Sequence, residues 1–187
     1  MIAIDAGDVR FNYRVAGVCI HDSYVLLHQL DTEAFWALPG GRPELLETSS
    51  EALLREMQEE MGLRVDIKRL LWIVEGFFSH ACIRFHELGF YYLMHLPAGS
   101  GGDDVGAAFT GVEGECTINF RWFPVDALET IPLCPSFLRT AIAHLPPAPV
   151  HLIHTDPEGE EAISPGGQMP GPLPPASSAR PQRSRQT

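Results

Sequence analysis

The sequence predicts an α/β sandwich built on a mixed β-sheet. Three observations carry that prediction: several runs rich in β-branched and aromatic residues, one strongly marked amphipathic helix with a second, short one far downstream, and no βαβ alternation of the doubly wound kind. A chain of 187 residues that is 45% apolar and 9% aromatic has enough material for one domain with a real core.

The elements follow in chain order. "VRFNYRVAGVCI" and "YVLLHQL", joined by the polar "HDS", read as a β-hairpin. "FWALPGG" reads as a short strand closed by Pro39, Gly40 and Gly41. Thr48 with Glu51 three residues on forms a capping box, Leu53, Leu54, Met57 and Met61 make an apolar stripe, and Gly62 suits a helix C-terminus, so a helix is expected over 49–61. "RVDIKRLLWIVEGFF" and "CIRFHELGFYYLMHL" read as two more strands. The Gly-rich stretch 97–115 reads as a long mobile loop, "INFRWFPV" as a strand, "PSFLRTAIAHL" as a short helix and "VHLIHTDPE" as an edge strand. From Leu145 onward the chain holds 10 of its 16 prolines. Residues 1–158 are therefore expected to be the folded domain and 159–187 a disordered, Pro/Gly-rich tail.

Charge and composition exclude several functions. There are 24 acidic against 13 basic side chains, a net charge of −11, and 12 of the 13 basic residues are Arg. That balance argues against a nucleic-acid polymer or an anionic membrane as main partner, because both need a positive face. An anionic small molecule would need a cation as intermediary. No secretory signal and no apolar run near 20 residues is visible, so a cytoplasmic location is expected. Cys19, Cys82, Cys116 and Cys134 lack metal-ligand spacing and read as free, mostly buried thiols.

The chemistry concentrates in "REMQEEMG". Glu56, Glu59 and Glu60 stand at i, i+3 and i+4, on one helix face, where like charges repel. Three carboxylates without His or Cys are hard oxygen ligands that select Mg²⁺ or Mn²⁺, and such cations relieve the repulsion while letting an acidic protein hold an anionic substrate. The arc is expected at the edge of the apolar stripe, bordering the core.

These residues resemble a known family. "GRPELLETSSEALLREMQEEMGL" fits the Nudix box G-x5-E-x7-R-E-U-x-E-E-x-G-U, with U a bulky apolar residue, at Gly41, Glu47, Arg55, Glu56, Met57, Glu59, Glu60, Gly62 and Leu63. The upstream "WALPGG" is similar to the lead-in of that box. The resemblance implies a Nudix-type α/β/α sandwich with the box helix packed on a mixed sheet. It implies a Mg²⁺- or Mn²⁺-dependent hydrolase that cleaves a phosphoanhydride in a nucleoside diphosphate linked to another moiety, such as a nucleotide sugar, a dinucleotide or a (d)NTP.

It further implies Glu56, Glu59, Glu60 and the Gly40 carbonyl as metal ligands, and Arg55 as the pair of Glu47 that holds the loop to the helix. Spacing also permits Arg55 pairs with Glu51 and Glu59. The proton acceptor is left between a box carboxylate such as Glu59 and a later loop, where Glu115 is favoured over Glu113, with Glu87 as a further candidate. Phe77, Phe78, Tyr91, Trp36 and Phe11 are candidates to stack a base, and Arg14, Arg42 or Arg84 to meet phosphate, with Arg14, Arg42 and Phe78 preferred. His151 and His154 read as structural. "FFSHA" lacks the family's markers for ADP-ribose and diadenosine polyphosphates, so the residues select no substrate. Because family members often dimerise, a homodimer is an expected arrangement. The rival reading is the same fold as a catalytically weak nucleotide sensor or regulator.

Overall fold

A computed structural model describes residues 1–100, 104–106, 108–114 (the backbone alone for Glu113) and 116–156. The strands are β1 (Ala3–Ala6), β2 (Val9–His21), β3 (Tyr24–Leu30), β4 (Asp66–His80), β5 (Ile83–His95), β6 (Ala108–Glu113), β7 (Cys116–Pro124) and β8 (Val150–Thr155). The helices are α1 (Ser49–Met61) and the short α2 (Leu138–Ala141), with 3₁₀ turns at Val125–Thr130 and Ile142–His144.

The strands run β6-β7-β3-β2-β5-β4-β8, with β1 paired to β2 off that path. The β2–β5 and β4–β8 pairs are parallel and the others antiparallel, so the sheet is mixed as expected. β2 and β3 share only Ile20↔Val25 and His21↔Tyr24 before they part. The edge of β2 that this leaves open is taken by the Pro39–Gly41 loop: Val15 N–H donates to Gly41 O at 2.9 Å and Gly17 N–H to Pro39 O at 2.8 Å. "FWALPGG" is thus a strap between two diverging strands, joined by isolated bridges at Ala37 and Trp36, and not the short strand its composition suggested.

Period-two alternation along β2 sends Val15 and Cys19 to one face and Ala16 and Val18 to the other. On the first face Leu53, Met57 and Ala52 of α1 pack with Leu26, Met94, Ile118 and Phe120. On the second, Leu128, Leu133, Leu138 and Ile142 pack with Leu27, Trp72, Val74 and Tyr91. A bulge between Leu70 and Trp72 lets the consecutive residues Leu71 and Trp72 enter the same cluster. The outcome is helical cover on both faces of a mixed sheet.

α1 begins and ends where its caps dictate. The Thr48 side chain accepts from Glu51 N–H at 3.3 Å while Glu51 Oε2 accepts from Thr48 N–H at 3.0 Å, and Gly62 closes the helix at φ 70°. Within the expected stripe, Leu54 is exposed where Leu53 and Met57 are buried.

The expected 97–115 loop is corrected: Ala108–Glu113 forms β6, antiparallel to β7, with Phe109 stacked on Phe120 at 5.1 Å. Its Gly111, which reads as a loop signal, marks a close approach, since a Cβ there would lie 1.9 Å from Glu60 O. β8 is the edge strand anticipated. Of the four thiols Cys19 is buried, whereas Cys82 is exposed and Cys116 and Cys134 are half-buried, against the expected burial. Glu115 and the expected tail 159–187 lie outside the described residues. No described helix is long and apolar enough to cross a membrane.

Candidate active site

At roughly 100° per residue, Ala52, Leu53, Glu56, Met57 and Glu60 occupy one arc of α1, and all five are buried. Glu56 and Glu60, 7% and 4% exposed, therefore lie inside the core-facing arc and not at its border. Glu59 projects outward, its side chain 59% exposed. Two carboxylates are thus held at low dielectric and the third at the solvent rim.

Arg55 organises them. Its Nε and Nη2 donate to Glu47 Oε1 and Oε2 at 2.8 and 2.9 Å, a two-point bond that ties the preceding loop to the helix. Nη1 donates at 3.0 Å to both Glu56 Oε1 and Glu59 Oε2, and Nη2 reaches Arg42 O at 3.2 Å. The predicted pairs with Glu47 and Glu59 form; Glu51 instead closes the capping box. The Arg55 bonds hold the Glu47 carboxyl below its ordinary range, and the same bonds push the Arg55 guanidinium up.

The loop in front of the helix is shaped by two glycines. Gly40 sits at φ 144°, and a Cβ on it would meet Val15 O at 2.2 Å. A Cβ on Gly41 would stand 2.3 to 2.5 Å from the Glu56 carboxylate. Both approaches require bare backbone, which accounts for the "GG" in front of the helix.

These groups face a cleft of about 810 Å³ that also meets β2, β4 and β5. Of the predicted residues, Gly40, Arg42, Arg55, Glu56, Glu59 and Glu60 border it, as do Arg14, Phe77, Phe78, Tyr91 and Glu87. Arg14 Nη2 donates to Leu38 O at 3.2 Å. Three candidates are not brought there. Arg84 pairs with Asp8 at 3.0 Å on an exposed edge, Trp36 packs on Phe123, and Phe11 stands edge-on to His86.

Sequence reasoning missed Asn12 and His28, polar residues at inward strand positions that border the cleft and are 5% and 8% exposed. For His28 the signal was available, since it stands between Leu26 and Leu30 on its face of β3; Asn12 stands between Arg10 and Arg14 and reads as one more polar position. Asn12 Nδ2 donates to Glu87 Oε2 at 2.7 Å, and burial pushes the Glu87 carboxyl up. Asn12 Oδ1 and His28 Nδ1 are buried with no hydrogen-bond partner among the described residues. His28 Nδ1 is 3.8 Å from Glu60 Oε2, but burial pushes the imidazole down to about 3, so it is neutral at pH 7 and the contact is no ion pair. His154 also borders the cleft in a latch: Asp156 Oδ1 accepts from Ser136 N–H at 3.1 Å and lies 2.9 Å from His154 Nε2.

Glu56 and Glu60 fit a hard divalent cation in donor chemistry and in burial. A shell of three or more His, Cys, Asp or Glu side chains is not preassembled among the described residues. Arg55 Nη1 supplies the positive charge between Glu56 and Glu59.

Comparison with known proteins bears on what the site serves. A family model described as the NUDIX domain matches residues 12–145. YjhB of Bacillus subtilis (strain 168), whose name proposes an ADP-ribose pyrophosphatase, is 28% identical over 122 residues, which is 65% of this chain and 53% of YjhB. The chain therefore spans about half the length of that relative. The crystal structure of an ADP-ribose pyrophosphatase from Streptococcus suis 89-1591 superposes with a TM-score of 0.53 at 18% identity, covering 76% of this chain and 98% of that one. A UDP-X diphosphatase structure gives 0.52 at 20% identity, covering 75% and 66%. At these identities the structural likeness concerns the fold.

Proposed function

The chain belongs to the NUDIX domain family, and from that premise we propose that it hydrolyses a phosphoanhydride bond in a nucleoside diphosphate linked to another group, with Mg²⁺ or Mn²⁺ as cofactor. The observation that carries this reading is the pair of buried carboxylates, Glu56 and Glu60, set on a doubly capped helix at the wall of an 810 Å³ cleft. Buried carboxylates one helical turn apart repel each other, and a cation between them relieves that repulsion.

Glu56, Glu59, Glu60 and the Gly40 carbonyl are the residues assigned to hold the cation. When bound, it would offset the negative charge of the substrate's phosphate groups and make an attacking water more acidic. The chain's own residues do the rest. Arg55 fixes the Glu47 loop against α1 and so sets the position of Glu56. Arg14 and Arg42, on the cleft wall, are assigned to the phosphate oxygens, and Phe78 to the face of a base. Proton acceptance falls to Glu59, which reaches solvent, or to Glu115, beyond the described residues.

ADP-ribose and UDP-linked groups, named in YjhB, the S. suis protein and the UDP-X diphosphatase, are the first substrates to try. Residues 1–158 are assigned to the catalytic domain. The experiment is incubation with Mg²⁺ and a panel of nucleoside diphosphate derivatives, with products identified by mass. A nucleoside monophosphate and a phosphorylated second moiety are expected. A panel left intact with both Mg²⁺ and Mn²⁺ would contradict the proposal.

A further inference from the structure

Asn12 on β2 and Glu87 on β5 are direct partners in the parallel pair. Both are more than nine-tenths buried and both border the cleft. Their mutual bond uses Asn12 Nδ2 and Glu87 Oε2 at 2.7 Å. It leaves Asn12 Oδ1 as a buried acceptor that nothing among the described residues satisfies. A buried polar group without a partner is destabilising, so a cleft that keeps one invites a ligand to supply the missing donor.

The neighbouring strand positions fit one kind of ligand. Opposite Glu87 on β4 stands Gly76, and two residues along the same face Phe78 pairs with Phe85, the rings stacked at 4.8 Å with 3° between planes. Gly76 presents no side chain beside the carboxylate, and the ring pair borders the same cleft. Arg14, two residues from Asn12, continues that face of β2 toward Leu38 and the glycine loop. The order is aromatic surface, acceptor pair, guanidinium.

We propose that Asn12 and Glu87 form a base-reading station: a planar nucleobase lies beside Phe78 and Phe85 with N–H donors of its edge directed to the two acceptors, while its diphosphate extends past Arg14 toward α1. This rests on the nucleotide reading of the cleft and adds to it which residues distinguish the base. A sugar hydroxyl pair offers donors too, but has no flat face for the ring pair.

The test measures, with Mg²⁺ present, the affinities of GDP, ADP, UDP and base-free pyrophosphate for wild type, Asn12→Leu, the isosteric Glu87→Gln, and Gly76→Val. At Gly76 an added Cβ meets only ordinary contacts, Glu87 O at 3.7 Å and Glu87 Cβ at 3.8 Å, so Gly76→Val fills the space beside the carboxylate from a position that accommodates a Cβ. Thermal unfolding confirms that each variant folds. At least one nucleoside diphosphate is expected to bind wild type roughly tenfold or more tightly than pyrophosphate, and that preference is expected to fall to about threefold or less in all three variants with pyrophosphate affinity unchanged. Pyrophosphate binding without a base preference in wild type, or a preference that survives the substitutions, overturns the station and leaves the hydrolase reading standing. Binding of none of the four ligands by wild type overturns both.

Discussion

Gly41 shows how strictly single residues are fixed at this site. Its Cα faces the Glu56 carboxylate so closely that a methyl group would overlap it, and the overlapped atoms are a buried, Arg55-bonded carboxyl and not a free side-chain end. Gly41→Ala is therefore expected to displace Glu56, lowering Mg²⁺-dependent turnover by roughly tenfold or more while costing about 1–3 kcal/mol of stability. Turnover and denaturant midpoint measured on one preparation separate the two effects. The motif spacing made the glycine legible in advance, but not its reason, which is a contact across the fold. Glu60 was similarly legible as a ligand candidate. Its burial was not, because a three-residue acidic arc reads as a border until the neighbouring strand and β6 are seen to cover it.

At the scale of elements, α1 is the piece best specified locally. Capping box, stripe and terminal glycine all point to the same limits, and Ser49–Met61 matches the expected 49–61. Thr48→Ala removes the N-terminal acceptor and is expected to cost about 1 kcal/mol, read from urea unfolding. β6 is the opposite case. Its "AFTGVE" carries a glycine and little alternation, so its strand character comes from pairing with β7 and crossing the end of α1. Gly111→Ala would place a Cβ 1.9 Å from Glu60 O. Either strand or helix end must move, at an expected cost of about 1–3 kcal/mol, with turnover falling in parallel because Glu60 lies on the displaced backbone. The same global pairing explains why "FWALPGG" became a strap: the edge it occupies exists only because β2 and β3 diverge.

For the whole molecule, acid is the condition that tests how the parts are joined. Arg55 holds Glu47 below the ordinary carboxylate range. For Asp156 burial pushes upward, but the bonds from Ser136 and His154 outweigh it and leave the group lowered. Carboxylates with depressed native values contribute stability fully above their unfolded values near pH ~4, and that contribution is lost as pH falls through the lower native values. Urea midpoints are thus expected to decline below pH ~4, and Asp156→Asn, which weakens the β8 latch, is expected to show a smaller decline. A wild-type midpoint independent of pH from about 5 to 2 would contradict the latch and loop pairs together.

The proposed hydrolysis depends on the two buried carboxylates Glu56 and Glu60 bringing a divalent cation to a diphosphate. Its most direct test is Mg²⁺-dependent product formation from ADP-ribose and UDP-sugars by wild type and Glu60→Gln, followed by mass spectrometry. The expected result is cleavage by wild type that disappears on chelation and falls at least about a hundredfold in the folded variant. Equal cleavage by Glu60→Gln, or by wild type stripped of divalent ions, would contradict it.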